Sequence, residues 1–329
     1  MTPFCPQHVK DLAGEVSEAP DWRIHGLLPR VTLALLAAYP KVGKSTFAGQ
    51  LAVAVAQGRD FLGRRTSLGG VLYVVAEEQK DDVIRRLRLF GMNDESDPIY
   101  LWVQGVEDTE KDRQDLQDFI RVRNIALVVI DTFASYLLVN DETNNSEITR
   151  RLKPYLDMAH SNATAIVFVH HERKNRDESG DDSKAIRGGG AILGMVDLAF
   201  QLQQVAGGGT GRHLKITGRY SRFTPQSLKL DYRDDAYVSL GTPEEHKSAN
   251  RRDQVLVVLP IVGAGLTAME VAEKTGLGKK AAWAALEDAY AAKTADRSGA
   301  GKRGDAYRYV RVDVCSQELV EADKELAEV

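Results

Sequence analysis

The chain has 329 residues, of which 43% are apolar and 27% are charged, and its net charge is −4. This length allows one large domain or two smaller ones, and the weakly negative charge argues against a general polyanion binder. Cys5 and Cys315 lie too far apart in sequence for a cysteine metal motif, and with neither a leader pattern nor a membrane-spanning apolar run we expect a cytoplasmic protein without a membrane partner.

Short apolar runs alternate with helical patterns over the first half of the chain. Strands are predicted at 31–37, 71–76, 99–103, 125–130 and 165–170, and helices at 44–58, 81–91, 113–122 and 146–161. Nearly continuous apolar strands separated by helices predict an α/β fold with a mostly parallel sheet covered on both faces. Four later strand patterns, within 196–240, are separated by polar turns, which favours antiparallel additions to the sheet.

The composition changes further along the chain. Residues 172–190 are polar and end in glycines, which predicts a mobile loop within a domain spanning 1–240. A linker is predicted at 241–250. Two helical patterns joined at "TGLG", then a strand pair around a basic Gly-rich tip, are typical of a winged helix at 251–312. An acidic tail helix is predicted at 313–329.

A phosphate-loop pattern, "AAYPKVGKSTFAGQ", follows the first of these strands. A strand, a tight loop and a helix in this order aim backbone N–H groups and the helix dipole at phosphate oxygens. We expect Lys44 to reach the β- and γ-phosphates and the Ser45 hydroxyl to bind Mg²⁺. The competing interpretation is an incidental Gly-Lys-Ser at a strand–helix junction. The predicted nucleotide-binding residues are Pro40, Lys41, Val42, Gly43, Lys44, Ser45 and Thr46.

The usual phosphate-loop pattern has a glycine at the position that corresponds to 38, where this chain has Ala38. Glycine is favoured there for its conformational freedom. We therefore predict that Ala38 adopts a φ open to ordinary residues and that Pro40 stiffens the turn.

Polar side chains follow three further strands. Asp131 ends "ALVVID" and is predicted to be the metal-side carboxylate, with a turn cap as the alternative. Glu77 and Glu78 follow "VLYVVA". Because neighbouring strand residues point to opposite faces, we expect only Glu77 to face the nucleotide and orient the attacking water; the alternative is that both cap the next helix. His171 is interpreted as a γ-phosphate sensor, with a structural histidine whose hydrogen bonds are satisfied as the alternative. A zinc site is disfavoured because no third ligand is spaced nearby.

The strand ends that carry GKS, EE, D and HH resemble those of RecA-like ATPases, and most closely the RepA-like replicative helicases of plasmids and phages. The resemblance covers roughly residues 20–235 and rests on "YPKVGKST", "LYVVAEEQKDDVIRRL", "LVVIDTFASYL", "IVFVHHERK" and "AIRGGGAILGMVD". It implies ATP and Mg²⁺ as cofactors. The family roles implied are phosphate-loop residues at Lys44 and Ser45, catalytic base at Glu77, metal-side aspartate at Asp131 and sensor at His171.

The resemblance also implies a homo-oligomeric ring, usually of six subunits, with ATP bound between neighbours. The neighbour would supply an arginine finger, an element worth about 10³–10⁵ in rate in GTPases. "GRYSRFTP" lies where related motors carry Lys-x-Arg before a proline, and Arg222 matches the arginine while Tyr220 replaces the lysine. This departure leaves Arg219 and Arg187 as further candidates, with Arg222 favoured.

Two segments are candidates for DNA contact. The loop 172–190 corresponds to the channel-lining loop of RecA-like rings and predicts single-stranded DNA as a partner. Acidic residues interrupt its charge and it has no aromatic residue for stacking, so a solvated loop is the alternative. The residues predicted to contact the DNA backbone are Lys174, Arg176, Lys184 and Arg187.

The C-terminal unit is basic, with 12 Lys and Arg against 7 Asp and Glu over 247–311. Lys279 and Lys280 begin its second helix, where base-reading side chains lie, and Lys302 and Arg303 occupy the wing tip, where they suit phosphates. Duplex DNA is the predicted partner, and protein contact is the alternative. The predicted core face of the second helix consists of Trp283, Leu286 and Tyr290.

Together these patterns predict an ATP-hydrolysing DNA motor, a replicative helicase or helicase loader of a plasmid, phage or mobile element. One rival is an ATP-switched DNA-binding regulator that moves no strand. The other is a small-molecule kinase, which is disfavoured because no acceptor-pocket signature is visible.

Overall fold

The computed structural model describes residues 6, 8–12, 21–103, 106–138, 144–172, 189–205, 209–219, 225–302 and 304–312. Contacts divide the chain into a first unit, Met1–Leu240, and a second unit, Gly241–Val329. None of the helices described is both long and apolar enough to cross a membrane.

The first unit contains the longer run of strands and helices. Its strands are β1 (Trp22–Ile24), β2 (Leu28–Pro29), β3 (Thr32–Ala38), β4 (Gly70–Val75), β5 (Ile99–Trp102), β6 (Ile125–Asp131), β7 (Ala165–His171), β8 (Leu198–Gln204), β9 (Arg212–Gly218), β10 (Gln226–Arg233) and β11 (Ala236–Ser239). Its helices are α1 (Val9–Leu12), α2 (Lys44–Gln57), α3 (Lys80–Leu89), α4 (Glu110–Arg123), α5 (Phe133–Leu137), α6 (Asn145–Asn162) and α7 (Gly189–Met195).

Nine of these strands form one sheet, in the order β11-β10-β9-β8-β3-β7-β6-β4-β5. Strands β3 to β8 run parallel, whereas β9, β10 and β11 are antiparallel additions. Both features were predicted from the strand patterns and are confirmed. Because the central strands are parallel, their carboxyl ends meet at one edge of the sheet, where ligands bind in folds of this kind.

Helices cover both faces of the sheet. On one face, α2 and α3 pack through residues such as Phe47, Leu51 and Leu87. On the other, α4, α5 and α6 pack through Leu116, Phe133 and Leu152. Strands β3 and β6 are buried at every position, which explains their unbroken apolar sequences.

The second unit has its own small core. It consists of α8 (Pro243–Val258), β12 (Leu266–Thr267), α9 (Ala268–Thr275), α10 (Lys279–Ala291), β13 (Ala295–Ser298) and β14 (Arg308–Arg311). Its three strands are ordered β12-β14-β13 and pair antiparallel. The segment 241–250, predicted as a linker, is instead helical from Pro243. Thr242 and Glu245 form a reciprocal capping box, a local signal that outweighs the polar composition.

The packing of α10 differs from the prediction. Leu286 is buried as expected, but Trp283 is 55% exposed and Tyr290 is 40% exposed. Alanines take the buried positions, and the Tyr290 ring lies 4.2 Å from the Arg297 guanidinium at the surface. The predicted tail helix 313–329 lies outside the described residues. The buried positions of α10 are Ala282, Ala285, Leu286 and Ala289.

Candidate nucleotide site

The loop between β3 and α2 begins with ordinary extended backbone. Ala38 is the last residue of β3 and is paired with His171 on β7 and Leu202 on β8. The prediction that Ala38 adopts an ordinary φ is therefore confirmed. The left-handed residues of the loop are Lys41, with φ 66°, and Gly43, with φ 105°. The conformational freedom that the usual pattern places at its first glycine is needed here at two later positions.

Lys44 is the first residue of α2, and its ammonium group folds back onto the loop. Its Nζ donates to the carbonyls of Ala38 and Tyr39, each at 3.3 Å, and lies 3.0 Å from Nδ1 of His171. Since an ammonium only donates, His171 accepts through Nδ1. Burial lowers the pKa of Lys44, while the charges of Asp131 and Glu77 raise it. The predicted phosphate-loop lysine and the predicted sensor are thus in direct contact.

The two side chains predicted to bind Mg²⁺ through their oxygen atoms are also in contact. The side chains of Ser45 and Asp131 are hydrogen-bonded to each other, and the Tyr73 hydroxyl donates to Oδ2 of Asp131 at 2.9 Å. Asp131 is only 3% exposed, and this burial raises its pKa although both hydrogen bonds lower it. A hydroxyl and a carboxylate are hard oxygen donors of the type Mg²⁺ prefers, so the pair fits that ion.

Mg²⁺ usually takes only one or two protein ligands and completes its shell with water and substrate phosphates. Within the described ranges, no group of three or more His, Cys, Asp or Glu side chains could hold a metal by itself. The donor set thus suits a metal that arrives with a phosphate ligand.

Glu77 and Glu78 both line the pocket, so the prediction that only one of them faces it is wrong. Strand β4 ends two residues before Glu77, and the alternation of a strand does not extend to the pair. Oε2 of Glu77 accepts from the hydroxyls of Thr132 at 3.0 Å and Ser135 at 3.4 Å. Glu78 forms an ion pair with Arg86 of α3. Glu77 is held by neutral donors, whereas Glu78 is neutralised by a cation.

These side chains surround one pocket of about 420 Å³ at the carboxyl edge of the sheet. Sequence reasoning missed Arg86 and Thr132, although Arg86 lies one helical turn after the buried Val83 and so beside the core face of α3. Carboxylates, a lysine and a helix N-terminus around one space suit a phosphate group with a divalent cation. The lining residues are Pro40, Lys41, Gly43, Lys44, Ser45, Thr46, Glu77, Glu78, Arg86, Asp131, Thr132 and His171.

Most of the other predicted contact residues are outside the described part of the chain or outside this pocket. Arg222 and Arg187 lie outside the described residues, as do 173–188 of the predicted DNA loop and Arg303 of the wing. Arg219 follows β9, whose end pairs with the start of β8, so it lies at the sheet edge opposite the phosphate loop. Its side chain donates to the carbonyl of Leu193 at 3.4 Å. Arg219 therefore does not serve the pocket of its own chain.

A family model described as an AAA domain matches residues 2–177, which is more than half of the chain. The chain belongs to the AAA domain family. The matched region includes the phosphate loop and the strand ends that carry Glu77, Asp131 and His171. No curated protein matches this AAA domain protein.

Several solved structures resemble the AAA domain protein in fold. The ATPase domain of G40P aligns over 64% of this chain and 84% of that chain, with a TM-score of 0.52 and 13% identity. A KaiC-like protein from Pyrococcus horikoshii OT3 aligns over 66% and 93%, with a TM-score of 0.49 and 17% identity. The RadB recombinase aligns over 63% and 90%, with a TM-score of 0.45 and 15% identity. The fold of the first unit is that of a RecA-like P-loop ATPase with a mostly parallel sheet.

Proposed function

We propose that this protein is an ATP-hydrolysing DNA motor, of the type of the RepA-like replicative helicases or helicase loaders. The observation that supports ATP hydrolysis is the convergence of Lys44, Ser45, Glu77, Asp131 and His171 on one pocket. These residues come from four different strand ends, and no local structural need brings them together. Phosphate binding, metal binding and activation of water each have a side chain of suitable chemistry there.

Each residue then has a distinct role. Lys44 would bind the β- and γ-phosphates of Mg-ATP in place of the carbonyls of its own loop. Ser45 and Asp131 would hold Mg²⁺ through their side-chain oxygens. Glu77 orients and polarises the attacking water, and His171, released from Lys44, reports on the γ-phosphate. Glu78 is less suited to the base role, because Arg86 donates to both oxygens of its carboxylate.

The proposed motor is a ring of identical subunits, with six as the expected number. An arginine of the neighbouring subunit, Arg222 in the first place and Arg219 or Arg187 otherwise, completes each site. Arg219 at the far edge of the sheet is compatible with this, since a finger must face another subunit and not its own pocket. Substantial ATPase activity in a proven monomer, unchanged by Arg222→Ala, would remove this part of the proposal.

DNA is the proposed polymer partner. The second unit has the element order of a winged helix, and exposed Lys279 and Lys280 begin α10 at the position of a recognition helix. Lysines are unfavourable at a helix N-terminus unless an anion lies nearby, which supports a phosphate-bearing ligand. The loop 172–190 is proposed to contact single-stranded DNA inside the ring.

The decisive experiment compares wild-type protein with Glu77→Gln. The variant should still bind ATP but lose about 10²–10⁴ in hydrolysis rate, as expected for a missing general base. ATP-dependent unwinding of a forked duplex by the wild type, absent in the variant, supports the motor. An ATPase rate unaffected by Glu77→Gln would contradict the assigned role.

The alternative is an ATP-switched DNA-binding regulator without unwinding activity. The excess of basic residues over 247–311 favours this alternative as much as it favours the motor, because duplex recognition alone explains that charge. Strong DNA binding and ATP hydrolysis without unwinding, on any loading substrate, would select the regulator.

A further inference from the structure

The carbonyl oxygen of Val42, in the middle of the phosphate loop, receives two side-chain hydrogen bonds. The Tyr237 hydroxyl of β11 donates to it at 2.9 Å, and Nε of Arg212 on β9 donates at 2.9 Å. Both donors come from the antiparallel strands, whereas Lys44, Glu77, Asp131 and His171 lie at or after the carboxyl ends of parallel strands. Two donors use both lone pairs of one carbonyl oxygen and so fix the direction in which it points.

Both donors are themselves held in place. The Gln50 side-chain amide on α2 donates to the Tyr237 carbonyl at 2.9 Å and accepts from the Tyr237 N–H at 2.8 Å. Tyr237 is only 3% exposed, so its ring is enclosed by the core. Nη1 of Arg212 donates to the carbonyls of Gly209 and Gly211, at 3.0 and 2.9 Å. The donors are therefore ordered before any nucleotide arrives.

The orientation of this carbonyl determines that of the next N–H group. The Val42–Gly43 peptide is trans, so its C=O and N–H bonds point in opposite directions. The C=O points toward β9 and β11, and the N–H of Gly43 therefore points away from them. Gly43 lines the nucleotide pocket, so this is the side on which the phosphates would lie.

We propose that Arg212 and Tyr237 are positioning residues, which present the Gly43 N–H to the nucleotide phosphates by holding the Val42 carbonyl from behind. The proposal rests on the proposed binding of ATP at this pocket. It assigns a specific task to the antiparallel part of the sheet: without the two donors, the peptide can rotate and turn a carbonyl dipole toward the phosphates, which repels them.

The test measures binding of ATP and of pyrophosphate to the full chain, by displacement of a fluorescent ADP analogue. Tyr237→Phe removes one oxygen and no charge, and Arg212→Ala removes the second donor. Each should weaken both ligands by about 2- to 10-fold, the range for one hydrogen bond, and the double variant should weaken them by about 10-fold or more.

Two matched controls come from β10, the strand that lies between β9 and β11 in the sheet. Tyr232→Phe removes a hydroxyl that donates to Asp235, from a ring 5.4 Å from that of Tyr237. Arg233→Ala removes an arginine that pairs with Asp231. Neither control should change the affinity for ATP or pyrophosphate, even where it lowers the thermal midpoint of the nucleotide-free chain.

The possible failures are distinguishable. If the wild type binds neither ATP nor pyrophosphate, the proposed function fails and this inference fails with it. If the wild type binds both and the double variant binds them with unchanged affinity, the positioning role alone is overturned. If the double variant loses its fold, the two single variants decide, because each leaves the Val42 carbonyl one donor. If Tyr237→Phe and Arg212→Ala lower the affinities no further than Tyr232→Phe and Arg233→Ala do, the contacts to the Val42 carbonyl have only a structural role and the proposal is overturned.

Discussion

Replacement of Gly43 by alanine probes the most crowded point of the phosphate loop. A Cβ at this position would lie 2.1 Å from the Tyr237 hydroxyl oxygen, and the backbone φ is 105°. A left-handed backbone costs an L-residue about 1–2 kcal/mol, and overpacking a filled site costs about 1–3 kcal/mol. Gly43→Ala should therefore lower the free energy of unfolding of the first unit by about 2–5 kcal/mol.

Two comparisons separate the backbone cost from the clash. Gly63 also has a positive φ, 74°, but nothing lies within 4 Å of a Cβ built there, so Gly63→Ala carries the backbone cost alone. In the Gly43→Ala background, Tyr237→Phe removes the clashing oxygen and leaves the ring carbon Cζ at 3.2 Å, a tight but tolerable contact. The double variant should recover about 1–3 kcal/mol, which is the coupling between the two sites.

Urea denaturation followed by tryptophan fluorescence is a suitable assay. Trp22 and Trp102 lie in the first unit, whereas Trp283 is exposed on the second. A Trp283→Phe background makes the fluorescence report on the first unit alone, which avoids mixing two unfolding transitions. Equal destabilisation by Gly43→Ala and Gly63→Ala, or no recovery with Tyr237→Phe, would refute the reasoning.

Three further predictions concern charged groups. Asp131→Asn should raise the thermal midpoint of the nucleotide-free protein at pH 7. Folding raises the pKa of Asp131, so its carboxyl group favours the folded state fully only below the unfolded pKa of 3.8, and this contribution is lost as the pH rises through the folded pKa. The increase in thermal midpoint should vanish near pH 4, and a lower thermal midpoint in the variant at pH 7 would contradict this prediction. Arg86→Ala should cost about 1–3 kcal/mol in urea denaturation, because it leaves Glu78 unpaired beside Asp131, and Glu78→Gln should recover part of this. Lys279→Ala with Lys280→Ala should weaken duplex binding and reduce the salt slope by about 1.8, whereas the control pair Lys247→Ala and Lys274→Ala should change neither.

Local patterns in the sequence predicted most of the first unit. The apolar period and Gly58 predicted a helix at 44–58, and α2 spans Lys44–Gln57 with Gly58 as its left-handed C-cap. Glu77, Asp131 and His171 were predicted at the ends of strands, and the structure brings them to one pocket because the carboxyl ends of parallel strands meet at one edge. Such predictions succeed where the determining interactions lie within a few residues, or follow from the direction of the strands.

The contacts that hold the phosphate loop could not be predicted in this way. Val42 is separated in sequence from Tyr237 by 195 residues and from Arg212 by 170 residues. A tyrosine in "AYVSL" has the pattern of any half-buried strand, and only the register of β9, β10 and β11 brings it to the loop. The error at Trp283 has a related cause, because helical periodicity fixes which residues share a face but not which face the neighbouring elements cover.

Replacement of Lys41 by glycine tests the left-handed position of a loop that has Ala38 where the usual pattern has glycine. Lys41 is exposed and has φ 66°, a conformation that strains an L-residue by about 1–2 kcal/mol. A glycine there would relieve this strain, but it would also stabilise the unfolded chain by about 0.4–1 kcal/mol because it gives that chain more conformational entropy. Lys41→Gly should therefore leave the free energy of unfolding unchanged or raise it by about 1 kcal/mol, whereas Lys41→Val should lower it.

Lys41→Gly should have the opposite effect on the affinity for ATP. Lys41 lines the pocket, and removal of its charge should weaken ATP binding while the fold becomes no less stable. Strained residues persist at functional sites where the side chain serves the ligand, and a rise in stability with a fall in affinity is the signature of such a residue. If Lys41→Gly binds ATP as tightly as the wild type, lysine at this position has no role in the site, and its left-handed backbone is only a turn that glycine would form more easily.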